Sequence, residues 1–183
     1  MPNLSLDPAV ASLVIACLVI LFAAGALHKF RDLRRFDEIF SAYGLATVLA
    51  RTRLSRLVPM LEAAVACGLL FNPTRTPAAL LGMALLLLYA AAIAINLRRG
   101  RTDLACGCGG PDDRRPIAGW MVWRNAGLAV LAGVGTLPWS ARPLLWTDLI
   151  TVAGGALACC LVYLCLDRLL GRAARMTAQL RRT

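Results

Sequence analysis

The chain has 183 residues, of which 59% are hydrophobic and only 16% charged, and its mean hydropathy is +0.67. These values lie outside the range of soluble globular domains and exclude disordered and coiled-coil proteins. The net charge of +10 does not indicate nucleic-acid binding, because the basic residues lie in short segments between apolar runs and form no continuous stripe. Composition therefore predicts a polytopic membrane protein that lies in a lipid bilayer.

Five apolar stretches approach the roughly 20 residues that a helix needs to cross a bilayer. Prolines and turn residues separate them, at Pro8, Asn72-Pro73, Thr76-Pro77, Pro138 and Pro143, which predicts antiparallel helices joined by short loops. The predicted spans are 9–30, 54–71, 78–97, 117–137 and 144–166. The predicted fold is an all-α transmembrane bundle with a four-helix domain in 1–137, a fifth helix in 138–170 and a basic cytoplasmic tail in 171–183.

The basic residues are distributed unevenly between the two ends of these spans. Arg75 and Arg142 are the basic residues of the loops on one side, whereas the loops and tail on the other side carry most of the rest. Because positively charged loops stay in the cytoplasm, we expect an inner-membrane protein with its N-terminus outside and its C-terminus inside. The basic residues assigned to the cytoplasmic side are Arg31, Arg34, Arg35, Arg51, Arg53, Arg56, Arg98, Arg99, Arg101, Arg114, Arg115, Arg168, Arg172, Arg175, Arg181 and Arg182.

The segment 31–43 after the first span has a helical pattern of its own. Leu33, Phe36, Phe40 and Tyr43 recur at three-residue to four-residue spacing, with charged residues between them. This pattern predicts an amphipathic helix. Two locations are open for it: the inner surface of the membrane, with its basic face toward anionic lipid, or a cytoplasmic extension of the first span.

Two charged residues, Glu62 and Arg124, lie within predicted spans, where each costs roughly 2.5–3.5 kcal/mol to insert. Both lie about two turns from the cytoplasmic side, so they are expected at similar depth. One interpretation is a structural ion pair between the two that offsets both costs. The other is a polar pocket that positions a ligand or a redox partner.

Three further polar residues map to the same leaflet and would support the pocket interpretation. Asn96 and Asn125 lie on the cytoplasmic halves of the third and fourth spans, and His28, the only histidine, ends the first. A single histidine at a helix end is more often an interfacial anchor than a ligand or a base. If the helices are rotated suitably, His28, Glu62, Asn96, Arg124 and Asn125 would converge.

The loop between the third and fourth spans contains Cys106, Gly107 and Cys108. Two cysteines separated by one glycine can close a strained disulfide ring, and strained disulfides are the labile and catalytic ones. Nearby arginines would favour the reactive thiolate. The motif therefore predicts a redox pair at Cys106 and Cys108, with activating cations at Arg99, Arg101 and Arg114.

Other interpretations of the cysteines stay open. A Cu(I) site of two thiolates is chemically reasonable, whereas structural zinc would need a second pair, so no metal is predicted. The pair can also be reduced and without a redox role, because a cytoplasmic location keeps ordinary thiols reduced. The remaining five are expected to be small apolar packing residues: Cys17, Cys67, Cys159, Cys160 and Cys165.

These features together resemble the MauE family of the MauE/DoxX group of redox-associated membrane proteins. The resemblance covers about 11–137, is most specific in the Cys-Gly-Cys loop with Arg124-Asn125, and is thin beyond Pro138. The other residues that carry it are His28-Lys29-Phe30-Arg31-Asp32-Leu33, Phe36, Tyr43-Gly44-Leu45, Pro59, Glu62, Asn96, Arg99-Gly100-Arg101, Gly109-Gly110 and Trp120.

The resemblance implies a helper role in the maturation of methylamine dehydrogenase, whose small subunit carries many disulfides. It implies a thioredoxin-like partner similar to MauD and an exported client that contains disulfides. A redox pair on the cytoplasmic side would instead require a cytoplasmic or quinone-linked source of electrons, which leaves a quinone open as a cofactor. An enzymatic role as a thiol-disulfide oxidoreductase component stays open. The alternatives are a non-catalytic scaffold that recruits a redoxin or a dehydrogenase subunit, and a protein that handles a soft metal.

Overall fold

The computed structural model describes residues 5–44, 54–106, 116–140 and 142–180. The regular secondary structure of these residues is helical, which confirms the all-α class predicted from composition. The six helices of the described segments are α1 (Pro8–Arg31), α2 (Leu33–Ala42), α3 (Leu54–Leu69), α4 (Asn72–Arg98), α5 (Gly119–Val134) and α6 (Trp146–Leu180).

Of the helices in the described segments, three have the length and apolar composition to cross a membrane: α1, α4 and, over its segment Trp146–Ala173, α6. In contrast, α3 and α5 have 16 residues each, which is about 24 Å at ~1.5 Å per residue and shorter than the ~30 Å hydrocarbon core. A helical membrane bundle is confirmed. Separate complete spans at 54–71 and 117–137 stay a prediction.

Two helices extend beyond the segments predicted for them. Helix α4 begins at Asn72 and includes Pro77, so the predicted turn at Thr76-Pro77 is wrong. Pro73 lies in the first turn, where a proline is tolerated because its missing N–H has no partner in the helix. Helix α6 continues to Leu180 because the residues after 171 are mostly good helix formers.

The predicted amphipathic segment forms a separate helix, α2. Asp32 interrupts the helical backbone after α1, with φ −143° and ψ 72°, and its side chain accepts a hydrogen bond from the Arg35 N–H at 3.1 Å. The carboxylate therefore caps a new helix that begins in a new direction. The helix is confirmed, and it is not a straight extension of α1; its position on the membrane surface stays a prediction.

Helix α1 packs mainly against α3 and α6, whereas α4 packs mainly against α5 and α3. The α1 side chains Leu18 and Phe22 are almost fully buried, as is Val65 of α3. Helix α4 approaches closely at Gly82, where an added Cβ would lie 3.0 Å from the Phe22 ring. The small residue lets the two helices pack together, as is common between membrane helices.

Helices α1 and α6 run side by side in the same direction. At one end, the backbone of Leu6 exchanges hydrogen bonds of 2.9 Å with Pro138 and Ser140. Further along, a Cβ added to Gly155 of α6 would lie 3.1 Å from the Leu13 side chain of α1. The start of α1 and the α5–α6 connection therefore share one end of the bundle.

An exposed charge cluster reinforces this end. Arg142, in the α5–α6 connection, pairs with Asp7 at 2.9 Å and with Asp148 at 2.7 Å. The hydrogen bond from Arg142, followed by that from the Ala9 N–H, holds the pKa of the Asp7 carboxyl below its ordinary value of 3.8. Because Asp7 is ionised more readily in the folded chain, its contribution to stability is complete above pH 3.8 and is lost as the pH falls through the lower folded value.

We therefore expect Asp7→Asn to lower the melting temperature of the purified protein in detergent by roughly 1–4 °C near pH 6, since an exposed ion pair contributes little. The difference between the two proteins should shrink as the pH is lowered below 3.8. Thermal unfolding between pH 2.5 and pH 6 measures it. A difference that is constant over this range would contradict a role for the ionised carboxylate.

Candidate functional site

The backbone around the end of α4 directs the chain toward Cys106. Gly100 takes the left-handed conformation, with φ 72°, and donates to the Leu97 carbonyl at 3.0 Å, while Arg101 donates to the Asn96 carbonyl at 3.0 Å. This pair of bonds is the Schellman arrangement, which ends helices at glycine. Beyond it, the Ile117 N–H donates to the Leu104 carbonyl at 2.9 Å and closes the base of a loop that carries Cys106.

Cys106 lies partly buried at this base. It packs against an apolar cluster that contains Ile93 of α4 and Met121 of α5, and its Sγ atom is 4.0 Å from Nη2 of Arg124. The other two residues of the predicted motif, Gly107 and Cys108, lie outside the described residues. The structure therefore places a guanidinium beside the first cysteine of the motif.

Arg124 is held by contacts to α6. Its Nη1 atom donates to Oδ1 of Asp167 at 2.7 Å, and both side chains are only 13% exposed. The guanidinium also lies over the rings of Trp120, at 5.2 Å, and Tyr163, at 6.0 Å. Because Tyr163 and Asp167 are one helical turn apart on α6, a single face of that helix orients Arg124.

Glu62 forms a different and more deeply buried cluster. Lys29 of α1 lies 2.6 Å and 2.7 Å from the two carboxylate oxygens of Glu62, and Tyr89 of α4 donates to one of them at 2.8 Å. The Lys29 and Glu62 side chains are 5% and 4% exposed. A Cβ added at Gly25 would lie 3.4 Å from the carboxylate, so the glycine makes room for it. This cluster connects α1, α3 and α4.

Of the two interpretations of Glu62 and Arg124, the ion pair between them is therefore not the one that the structure contains. Within the described residues each has another partner of opposite charge, Lys29 for Glu62 and Asp167 for Arg124. The reason is geometric: similar depth along two helices does not fix the direction in which each side chain points. Both predicted residues are nevertheless engaged in buried charge pairs, as the cost of insertion requires.

The three other predicted pocket residues do not join the charge pairs in the described structure. The amide groups of Asn96 and Asn125 donate within their own helices, to Ala92 at 3.0 Å and to Met121 at 2.8 Å. The His28 Nδ1 atom and the Asn96 Oδ1 atom are buried without a hydrogen-bond partner in the described segments. The predicted convergence of five residues is thus replaced by two pairs and isolated polar groups.

Sequence reasoning missed Lys29 and Asp167, although each carries a signal. Lys29 continues the buried face of α1 set by Leu18, Phe22 and Ala26, at spacings of four, four and three residues, whereas His28 lies beside that face. Asp167 is an acidic residue directly after the apolar run 144–166. In both cases the helical register identifies an unexpected charge on an inward face.

Three of the five remaining cysteines do not pack inside the bundle. Cys67, Cys159 and Cys165 are exposed on the helix surfaces, so the predicted packing role is wrong for Cys67 and Cys165, whereas Cys159 still contacts Cys17 of α1. Cys17 and Cys160 are half-buried. For Cys17 and Cys160, packing at the α1–α6 contact remains the interpretation.

We expect Glu62→Gln to destabilise the protein by about 3–5 kcal/mol, because it leaves the Lys29 ammonium buried without a counter-charge. This is a large part of a typical stability of about 5–15 kcal/mol. The double variant Lys29→Met with Glu62→Leu should recover most of the loss, since apolar side chains can replace a buried pair. Unfolding in detergent measures all three proteins.

The charge exchange Glu62→Arg with Arg124→Glu is the matched control. The loss in free energy of unfolding of this double variant should equal the sum of the losses of its two single variants, because the two residues have different partners. A favourable coupling of several kcal/mol between them would contradict the pairing described above.

The chain is similar to a known family over most of its length. The family model described as methylamine utilisation protein MauE matches residues 7–138. The proteins named methylamine utilization protein MauE from Paracoccus denitrificans and Methylophilus methylotrophus are 37% and 30% identical to it, over 88% and 90% of this chain and 87% and 88% of their own lengths.

A third relative of the same name, from Methylorubrum extorquens, is 35% identical over 69% of this chain and 68% of its own length. No solved structure matches the chain. The matched segment includes α1 to α5 and therefore both Glu62 and the Cys106–Arg124 contact. On the family model and these relatives, the chain belongs to the MauE family.

Proposed function

We propose that this membrane protein is a component of a thiol-disulfide redox system that serves methylamine utilisation. The names of its relatives supply the process. In the proposal, Cys106 and Cys108 form the redox couple, a thioredoxin-like protein similar to MauD is the partner, and the client is an exported protein such as the methylamine dehydrogenase small subunit. The observation that supports it best is the Arg124 guanidinium beside Cys106.

The contact suits a thiol that must react as a thiolate. A neighbouring guanidinium favours the anionic form of cysteine, which is the nucleophile in disulfide exchange. Asp167 offsets part of the Arg124 charge but also fixes the guanidinium, so that one terminal nitrogen faces the carboxylate and the other the sulfur. Partial burial of Cys106 leaves a route for a partner's disulfide to reach it.

The proposed reaction is a two-electron exchange. The Cys106 thiolate attacks a disulfide of the redoxin, a mixed disulfide forms, and one redoxin sulfur leaves as a thiolate. Cys108 then attacks Cys106, which releases the reduced redoxin and closes the Cys106–Cys108 disulfide. Two electrons and two protons pass from this chain to the redoxin, and a dithiol of the client returns them before the client is exported; a quinone acceptor stays a prediction.

The proposal places Cys106 on the cytoplasmic side of the inner membrane, with the N-terminus outside and the C-terminus in the cytoplasm. The charge distribution of the loops supports this orientation. So does the bundle, because α1 and α6 begin at one end and Cys106 follows the far end of α4. A cytoplasmic pair would be kept largely reduced by the thiol pool, so its oxidised form would be transient.

The first test is the reactivity of Cys106 alone, in a protein whose other six cysteines are replaced by serine. Arg124→Gln should slow alkylation at pH 7 by roughly threefold to tenfold, because the thiolate fraction falls when the cation is removed. The control is Arg168→Gln, which removes an exposed arginine next to Asp167 in the chain. If Cys106 is alkylated at the same rate in both variants, Arg124 does not activate it and the proposed redox couple loses its main support.

The second test is complementation of a deletion strain. Cys106→Ser with Cys108→Ser should abolish growth on methylamine as the nitrogen source and leave client cysteines unpaired, whereas Cys67→Ser should have no effect. Thiol labelling of client protein measures the second result. Normal maturation with the double variant would reject the redox couple and support a scaffold role.

The location of Cys106 is tested separately, in intact cells that express the protein whose other six cysteines are replaced by serine. A membrane-impermeant maleimide should not label Cys106 if this cysteine lies on the cytoplasmic side.

A further inference from the structure

A cavity lies at the opposite end of the bundle from Cys106, where α1 begins. It has a volume of about 350 Å³ and is formed by α1, the α3–α4 connection and the segment that follows α5. Its lining is mostly apolar, and it opens to the surface of the helix bundle. The residues that define it are Ser12, Ala16, Val19, Leu69, Arg75 and Trp139.

The Arg75 guanidinium and the Trp139 indole are the hydrogen-bond donors on which the chemistry of this cavity depends, and none of the described residues that line it is acidic. Arg75 is half-buried, donates to the Asn72 side chain at 2.9 Å and stacks on the Trp139 ring at 3.9 Å. Among the described residues it makes no ion pair with a carboxylate, whereas Arg142 at the same end pairs with two. The buried Trp139 indole N–H also has no partner in this part of the chain.

A cation without a counter-charge is costly in a partly dehydrated position. An apolar cavity with a guanidinium and an indole donor has the chemistry to bind an amphiphile with a negative headgroup, since arginine binds phosphate through several N–H groups. A zwitterionic headgroup fits less well, because its ammonium group would meet no carboxylate in this cavity. A neutral headgroup would leave the arginine charge uncompensated.

We infer that this cavity binds one anionic phospholipid, with an acyl chain between α1 and α3 and the phosphate on Arg75 and Trp139. The apolar lining, the unpaired guanidinium and the indole donor carry the inference together. Basic pockets between membrane helices bind anionic headgroups in this way. The site is independent of the redox function proposed above, because it shares no residue with the Cys106 loop.

The test is native mass spectrometry of the purified full chain in detergent, with added dioleoylphosphatidylglycerol or dioleoylphosphatidylcholine. We expect the anionic lipid to be retained at least threefold more than the zwitterionic one. Arg75→Gln should reduce its retention to the level of the zwitterionic lipid. Arg98→Gln, which removes an exposed arginine at the other end of α4, should change nothing.

A second variant tests the apolar part of the site without changing its charge. Ala16→Phe fills the cavity and should reduce retention of both lipids, while circular dichroism shows that the variant remains helical. sn-Glycerol 3-phosphate, which has no acyl chain, should not displace the bound lipid. Equal retention of the two lipids by the unmodified protein, retention unchanged in Arg75→Gln, or displacement by glycerol phosphate would each overturn the inference.

Discussion

A lysine and a glutamate that leave water inside an apolar bundle must meet each other, and the positions of α1, α3 and α4 depend on this requirement. The Lys29 ammonium donates to both carboxylate oxygens of Glu62, and the Tyr89 hydroxyl donates a further hydrogen bond to one of them. Since membrane helices gain little from apolar burial against one another, such directional contacts specify which helix faces which. Gly25 and Gly82 then allow the backbones to approach.

The second charge pair has a different structural role. Arg124 and Asp167 connect α5 to α6. Only 6% of the most apolar stretch of α6 is buried inside the bundle. In the described part of the chain, this ion pair and the Tyr163 ring beneath the guanidinium attach α6 to α5. Because the same guanidinium contacts Cys106, the attachment of α6 and the environment of the thiol are coupled through one side chain.

The two ends of the bundle differ in chemistry. One end carries the clamp of Arg142 with Asp7 and Asp148 and the cavity at Arg75; the other carries Cys106 and the α4 end that positions it. This polarity follows from the helix directions: α4 runs in the same direction as α1, since Gly82 lies beside Phe22 and Tyr89 lies beside Lys29, so the end of α4 and the start of α1 are at opposite ends of the bundle. The proposed redox pair and the proposed lipid site are therefore separated by the length of the bundle.

The sequence by itself determined the class of the protein, the approximate course of its helices and the need for Glu62 and Arg124 to find polar partners, because hydropathy, periodicity and the cost of burying charge are local properties. Only the tertiary structure decided the partners. Glu62 turned to Lys29, Arg124 turned to Asp167, and Cys106 came to lie beside Arg124. These contacts depend on the rotation of each helix about its axis and on the neighbour it meets, which packing across the whole bundle sets and no single segment encodes.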